Sequence, residues 1–242
     1  MFIETFLLLL ALNSLSAGRE SRPEGRVLGG KPIEIEQAPW QVSLHHRGNF
    51  KCGGSIYSEN IIITAAHCFF TGTERVDDQG HQVRIGSALK YSNGSLVEVD
   101  VIKIHENFNV VNDIAIVRLN KPLVFTNKVQ PIPLAKKNPF PGSIAFVSGW
   151  GISNYPTLEH PEHPEHLQGL NLPIQSSNNP SLLWAGNTGR AACRGDSGGP
   201  LVANKQLVGV VSGGSEYCEK SSYYSSVPYF HEWILTAIAS IK

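Results

Sequence analysis

Short runs rich in Val, Ile and Leu recur along the chain, each bounded by turn-forming residues. They include Gln41–Leu44, Ile61–Ala65, Gln82–Ile85, Val97–Ile104, Ile114–Leu119, Ala145–Ser148 and Gln206–Val211. Runs of this length and composition predict β-strands. No helical segments alternate with them, which argues against a parallel sheet. From Lys121 to Gly142 the chain is dense in proline and has little periodicity, as a crossover between two all-β halves would be. The C-terminus follows a different period. Phe230, Trp233, Ile234, Ala237, Ile238 and Ile241 recur at helical spacing and define one apolar face. Pro228 suits the first turn of that helix. The opposite face is not basic, so the helix is expected to pack on the body of the protein rather than on a membrane.

The leading segment, MFIETFLLLLALNSLSAG, reads as a secretory signal over residues 1–18. Its apolar run Phe6–Leu12 is too short to span a bilayer. Ser16, Ala17 and Gly18 form a cleavage zone. The segment carries Glu4 and no Lys or Arg, and a buried N-terminal helix is the competing reading. The four cysteines, Cys52, Cys68, Cys193 and Cys218, then read as two disulfides, with three pairings open. The sequon Asn93-Gly94-Ser95 fits a surface loop of a secreted protein. A chain of 242 residues can still fold as one all-β unit. Twenty basic residues balance twenty acidic ones, so no nucleic acid or anionic membrane is implied as a partner.

Three short motifs carry chemistry. Gly195-Asp196-Ser197-Gly198-Gly199-Pro200 sets a serine among glycines. A serine hydroxyl needs a base to become a nucleophile, and flanking glycines leave N–H groups free to face a developing oxyanion. Alone, it could be any glycine-rich turn. Thr64-Ala65-Ala66-His67-Cys68 places a histidine beside a cysteine after an apolar run. An imidazole with a reference pKa of about 6.5 suits a general base near neutrality. Asn112-Asp113-Ile114-Ala115-Ile116-Val117 opens an apolar strand with a carboxylate, which is unusual unless the charge is paired. Such a carboxylate can hold an imidazole in the required tautomer.

In the order His67, Asp113, Ser197, these motifs resemble the chymotrypsin-like serine peptidases of the trypsin superfamily. The resemblance extends over residues 26–242. It includes Arg26-Val27-Leu28-Gly29-Gly30, Ala38-Pro39-Trp40-Gln41-Val42-Ser43-Leu44, Cys52-Gly53-Gly54-Ser55, Gly149-Trp150-Gly151 and Leu201-Val202. It implies an all-β fold of two antiparallel six-stranded barrels with a C-terminal helix and a site in the cleft between them. It also implies Ser197 as nucleophile, His67 as base, Asp113 as its orienter, and the N–H groups of Gly195 and Ser197 as the oxyanion hole. The disulfides would be Cys52–Cys68 and Cys193–Cys218. A propeptide, residues 19–26, would be cut after Arg26, and the new Val27 ammonium would pair with Asp196. Residues 27–242 would form the peptidase domain.

The same alignment puts Ala191 at the floor of the primary pocket, where trypsin-like members carry Asp. A buried Lys or Arg of the substrate would lack a counter-charge there. Gly214 and Ser222 would be its walls, with Tyr224 behind, and an apolar substrate residue is expected: aromatic or Leu/Met-type first, a smaller aliphatic second. The chain departs from the pattern at three places. Gly213 stands where relatives usually carry a tryptophan beside the pocket, and its loss is expected to weaken extended substrate binding. Trp184 stands at one position of an absent cysteine pair, with Ser176–Pro180 shortened at the other. Tyr217 takes the place of a glycine at the pocket rim.

The resemblance calls for no cofactor. Partners would be protein or peptide substrates, an activating protease and protein inhibitors, and the enzyme would act as a secreted monomer. The stretch His160-Pro161-Glu162-His163-Pro164-Glu165-His166 has metal-binding residue types, but its prolines break any aligning helix, and a solvated loop is the expectation. Two other functions compete. A catalytically silent homologue acting by binding would not need an intact triad and activation site. An esterase or lipase would need a strand-to-helix nucleophile elbow, which the residues flanking Ser197 do not provide.

Overall fold

The computed structural model describes residues 29–152, 154–157 and 160–241. The expected signal, propeptide, Arg26 and Val27 lie outside them.

Six strands close into a first barrel. In spatial order they are Gln41–His46, Asn49–Ile56, Ile61–Thr64, Ala115–Leu119, Ser95–Ile104 and His81–Ile85, which pairs back with the first. All pairings are antiparallel. The pattern of each strand reflects its surroundings. Ser95–Ile104 shows solvent on one face and mixes exposed with buried positions. Ile61–Thr64 is buried throughout, because its outer face is covered as well.

A second barrel is built from Gln168–Gln175, Ile144–Gly149, Pro200–Ala203, Gln206–Gly213, Ser222–Ser226 and Leu182–Ala185. The pairing of Gln168–Gln175 with Leu182–Ala185 closes it. Its core includes Val147, Leu172, Leu201, Val211 and Tyr224. Tight turns follow the local chemistry. Asn204 and Lys205, at φ 51° and 59°, join two strands of this barrel, and Arg47-Gly48, at 50° and 79°, join two of the first. Paired positive φ values give the mirror-image turn whose twist matches that of the strands.

The expected crossover runs through 121–142 without a strand of its own. It docks on the second barrel, where Ala135 N–H donates to Leu207 O and Leu207 N–H to Pro133 O. The C-terminal helix is His231–Ser240. Pro228 lies in the turn ahead of it, not in its first turn as the sequence predicts, because Phe230 is the N-cap. Its apolar face, Ile234, Ala237 and Ile238, enters the core of the first barrel with Ile62, Ile116 and Val117. Conversely, Lys31–Pro32 near the start of the described chain pairs with Gln168–Gln175 of the second barrel. Each half therefore holds an end of the chain that belongs in sequence to the other. Among the described residues no helix is long and apolar enough to cross a membrane.

The two barrels approach closely at glycines. Gly53 N–H donates to Ser197 O across the boundary at 2.7 Å. Gly198 has φ +76°, and a Cβ there would sit 2.1 Å from Thr64 Oγ1 and 2.6 Å from Gly53 O. Only glycine fits that position. Ser148 Oγ donates to Gln41 Oε1 and Trp150 Nε1 to Ala88 O, at 2.7 and 2.9 Å, which satisfies polar groups buried at the seam.

Candidate active site

Three elements from both halves meet at this seam. His67 sits in the short 3-10 helix Ala66–Phe69 that follows strand Ile61–Thr64. Its neighbour Cys68 is bonded to Cys52 of the adjacent strand, which anchors that turn. Asp113 immediately precedes Ile114 and strand Ala115–Leu119, the partner of Ile61–Thr64. Strand pairing thus brings the histidine and the carboxylate to one end of the barrel.

The pair is tightly joined. His67 N–H donates to Asp113 Oδ1 at 2.9 Å, and His67 Nδ1 lies 2.6 Å from Asp113 Oδ2. A carboxylate accepts only, so Nδ1 carries a proton and donates it to Oδ2; in the neutral ring this is the tautomer that leaves Nε2 to act as a base. Asp113 is 3% exposed. Two serines of the second barrel complete its surroundings: Ser212 Oγ donates to Oδ2 at 2.6 Å, and Ser225 Oγ donates to the Asp113 carbonyl at 2.7 Å. The sequence linked neither to Asp113; Ser212 was legible only as the neighbour of two glycines.

Ser197 stands on the other side of the cleft and lines a cavity of about 350 Å³ together with Ala192, Cys193, Arg194, Val211 and Gly213. Gly195 has φ +97°. Among the described residues, the N–H groups of Gly195 and Ser197 donate to no partner, so two backbone donors remain available beside the hydroxyl. The Cys193–Cys218 disulfide closes the cavity wall, so both disulfides pair as the resemblance implies.

Asp196 is fully buried. Its carboxylate accepts from Gly151 N–H at 2.8 Å and Cys193 N–H at 2.9 Å. It nests against Gly149 and Gly151, where a Cβ would come within 2.1 and 2.5 Å of carboxylate atoms. Burial raises its pKa to about 6, against the pull of those two donors and of the Lys90 charge. Lys90 is itself buried, with its ammonium over the rings of Phe50 and Tyr91 at 5.0 and 5.6 Å. Burial lowers its pKa, and the charges of Asp196 and Glu165 oppose that shift.

Of the four expected pocket residues, Gly214 lines the cavity. Ala191, Ser222 and Tyr224 have no exposed surface and lie behind it. Ser222 Oγ is occupied: it accepts from Ala192 N–H at 3.2 Å and bonds the Tyr224 hydroxyl at 2.9 Å. A Cβ on Gly214 would stand 3.4 Å from that of Ser222, so the walls come together there. Exposed Arg194 and Glu216 bring opposite charges to the mouth. Tyr217 is 39% exposed at the rim.

In the His/Glu/Pro stretch, residues 154–157 and 160–162 form a two-stranded hairpin. Among the described residues, the one group of His, Cys and carboxylates close enough to share an ion is Cys52, His67 and Cys68. Both of its sulfurs are spent on a disulfide.

Comparison with known proteins places the chain in a family. A family model described as Trypsin matches residues 27–234. Trypsin delta of Drosophila melanogaster is 39% identical over 232 residues, covering 88% of each chain. Trypsin alpha of the same fly is 39% identical over 237 residues, covering 90% of each. Among solved structures, the mouse-brain serine protease neuropsin superposes with a TM-score of 0.77 at 28% identity, over 86% of this chain and 98% of its own. The scabies mite inactivated protease paralogue S-D1 superposes with a TM-score of 0.79 at 27% identity, over 88% and 97%.

Proposed function

The chain belongs to the trypsin family of serine-type endopeptidases, and from that premise we propose that it is a secreted peptidase acting through Ser197, His67 and Asp113, switched on by cleavage after Arg26. The observation that carries the reading is the His67–Asp113 pair at 2.6 Å, held by Ser212 between Val211 and Gly213, which line the same cavity as Ser197.

In this mechanism Ser197 Oγ attacks the scissile carbonyl while His67 Nε2 takes its proton. The oxyanion receives the N–H groups of Gly195 and Ser197. His67 then gives the proton to the leaving amine, and a water molecule, deprotonated by the same nitrogen, hydrolyses the acyl-enzyme. Asp113 holds the ring and stabilises the cation formed in each step. Ser197 Oγ makes no hydrogen bond to a described residue in the free protein. Such contacts commonly tighten only when substrate arrives.

Activation uses the buried Asp196. Among the described residues Asp196 has no cation within ion-pair distance, which is unfavourable for a charge in that site, and the ammonium of Val27, freed by cleavage, is the partner the reading assigns to it. The substrate residue in the primary pocket is apolar. Ala191 offers no counter-charge, and Ser222 spends its hydroxyl inside the wall. The relatives' name does not carry over their substrate preference.

The test is to process the purified chain at Arg26, profile it on a peptide library, and label it with a fluorophosphonate. The reading expects labelling at Ser197, cleavage after Phe, Leu, Met or Ala rather than Arg, and loss of both in Ser197→Ala. The activity loss should exceed about a thousandfold. A second reading, a silent homologue that acts by binding, takes support from the likeness to an inactivated paralogue. An unlabelled but folded wild-type chain would favour it.

A further inference from the structure

Gly213 sits on the cavity wall next to Ser212, whose hydroxyl bonds Asp113. The space a side chain at Gly213 would need is already filled. A Cβ there would lie 2.4 Å from the hydroxyl oxygen of Tyr223, 2.5 Å from its Cζ and 3.0 Å from its Cε1. The two residues are cross-strand partners, Gly213 on Gln206–Gly213 and Tyr223 on Ser222–Ser226, at a point where the register shifts between Val211 and Gly213. The phenol therefore occupies the space over Gly213, a residue that lines the cavity. From its other cross-strand neighbour, Trp184, it receives support: the two rings lie 5.3 Å apart at 51°. Both rings are half-buried and keep exposed surface. Burial, and then the Asp113 charge, raise the pKa of the Tyr223 phenol; Gly213 itself follows Ser212, whose hydroxyl bonds Asp113.

We propose that Tyr223, braced by Trp184, is the aromatic wall of the substrate cleft, recognising an apolar side chain immediately N-terminal to the residue held in the primary pocket. Gly213 is the complement that makes room for it. The weakened binding expected from the missing indole is then offset by a wall supplied by the neighbouring strand. Trp184, at a former cysteine position, is the second half of that replacement. The inference rests on the peptidase reading for the placement of a peptide in the cleft, but its test does not need Ser197 to react.

The experiment measures peptide binding by titration calorimetry in the Ser197→Ala chain after processing at Arg26. Peptides share Leu at the primary position and vary the preceding residue among Gly, Ala, Leu and Phe. Leu and Phe peptides should bind at least tenfold more tightly than Gly. Adding Tyr223→Ala should erase that preference and leave the Gly peptide unchanged, whereas Tyr223→Phe should keep it. Gly213→Trp on the Tyr223→Ala background should restore it, because the indole enters the vacated space. Gly213→Trp alone should lower the melting temperature, because two rings cannot share that volume. If Tyr223→Ala unfolds, Tyr223→Leu replaces it, with a reduced preference expected. A preference unchanged without the ring, an equal loss on all four peptides, or no binding by any of them overturns the proposal. Fluorophosphonate labelling of the Ser197 chain reports separately on the peptidase reading.

Discussion

Asp113 has three hydrogen-bonded claims on its carboxylate, from the His67 backbone, the His67 ring and Ser212. The ring bond sets the tautomer, while the serine fixes the carboxylate from the opposite barrel. Removing it leaves a lone pair of a buried charge unsatisfied, which is where such deletions are most damaging. Ser212→Ala is therefore expected to lower kcat about tenfold, an effect of about 1.4 kcal/mol, with little change in KM. Steady-state kinetics on one peptide substrate would check this. A rise in KM with kcat unchanged would place Ser212 in binding instead.

The C-terminal helix is the element whose face was easiest to read and whose role was hardest. Its apolar positions alternate at helical spacing, yet nothing in that pattern says they enter the barrel formed by the first half of the chain. Ile234 is fully buried there. Ile234→Ala should cost about 2–5 kcal/mol, a fall of roughly 5–15 °C in melting temperature by calorimetry. Strands built from β-branched residues, such as Ile61–Thr64 and Ala115–Leu119, were equally legible. Asn49–Ile56 was not, since Cys52-Gly53-Gly54-Ser55 has the look of a turn; Gly53 serves close approach to the other barrel, and Gly54 to Val42 and Ile62 of its own. Ser222–Ser226 was hidden for a related reason: its serines are buried but bonded inward, so polarity conceals burial. The triad stood out because three separate motifs each required a partner. Tyr223 did not, because its part depends on a register shift that no local pattern encodes.

At the scale of the molecule, buried titratable groups set opposing responses to pH. Burial is the main cause that lowers His45 and His81 to about 4. Among the described residues neither ring nitrogen of His81 has a hydrogen-bond partner; the ring stacks on His46 at 4.4 Å, and Asp77 and Asp78 oppose the shift only in part. Each ring takes a proton more readily in the unfolded chain. Their contribution is thus complete above about pH 6.5 and is lost as pH falls through about 4. Asp196 works in the other direction. Its pKa, raised to about 6, favours the folded precursor at low pH and withdraws that support as pH rises through 6. Between about pH 4 and 6 the two effects oppose each other, so the precursor's melting temperature should rise with pH less steeply than the histidines alone would make it. His81→Phe should flatten that rise further, and processing at Arg26 should steepen it, since Val27 then neutralises Asp196. A slope that processing leaves unchanged would deny that pairing.

The exchange of chain ends between the halves bears on how the protein is made. The stretch that seals the first barrel, His231–Ser240, follows all six of that barrel's own strands and the whole second barrel in the chain. During synthesis the first barrel therefore carries an uncovered apolar flank long after its own strands have emerged. A chain stalled before residue 231 presents greasy surface to quality control, and only one that has passed that point can hide it.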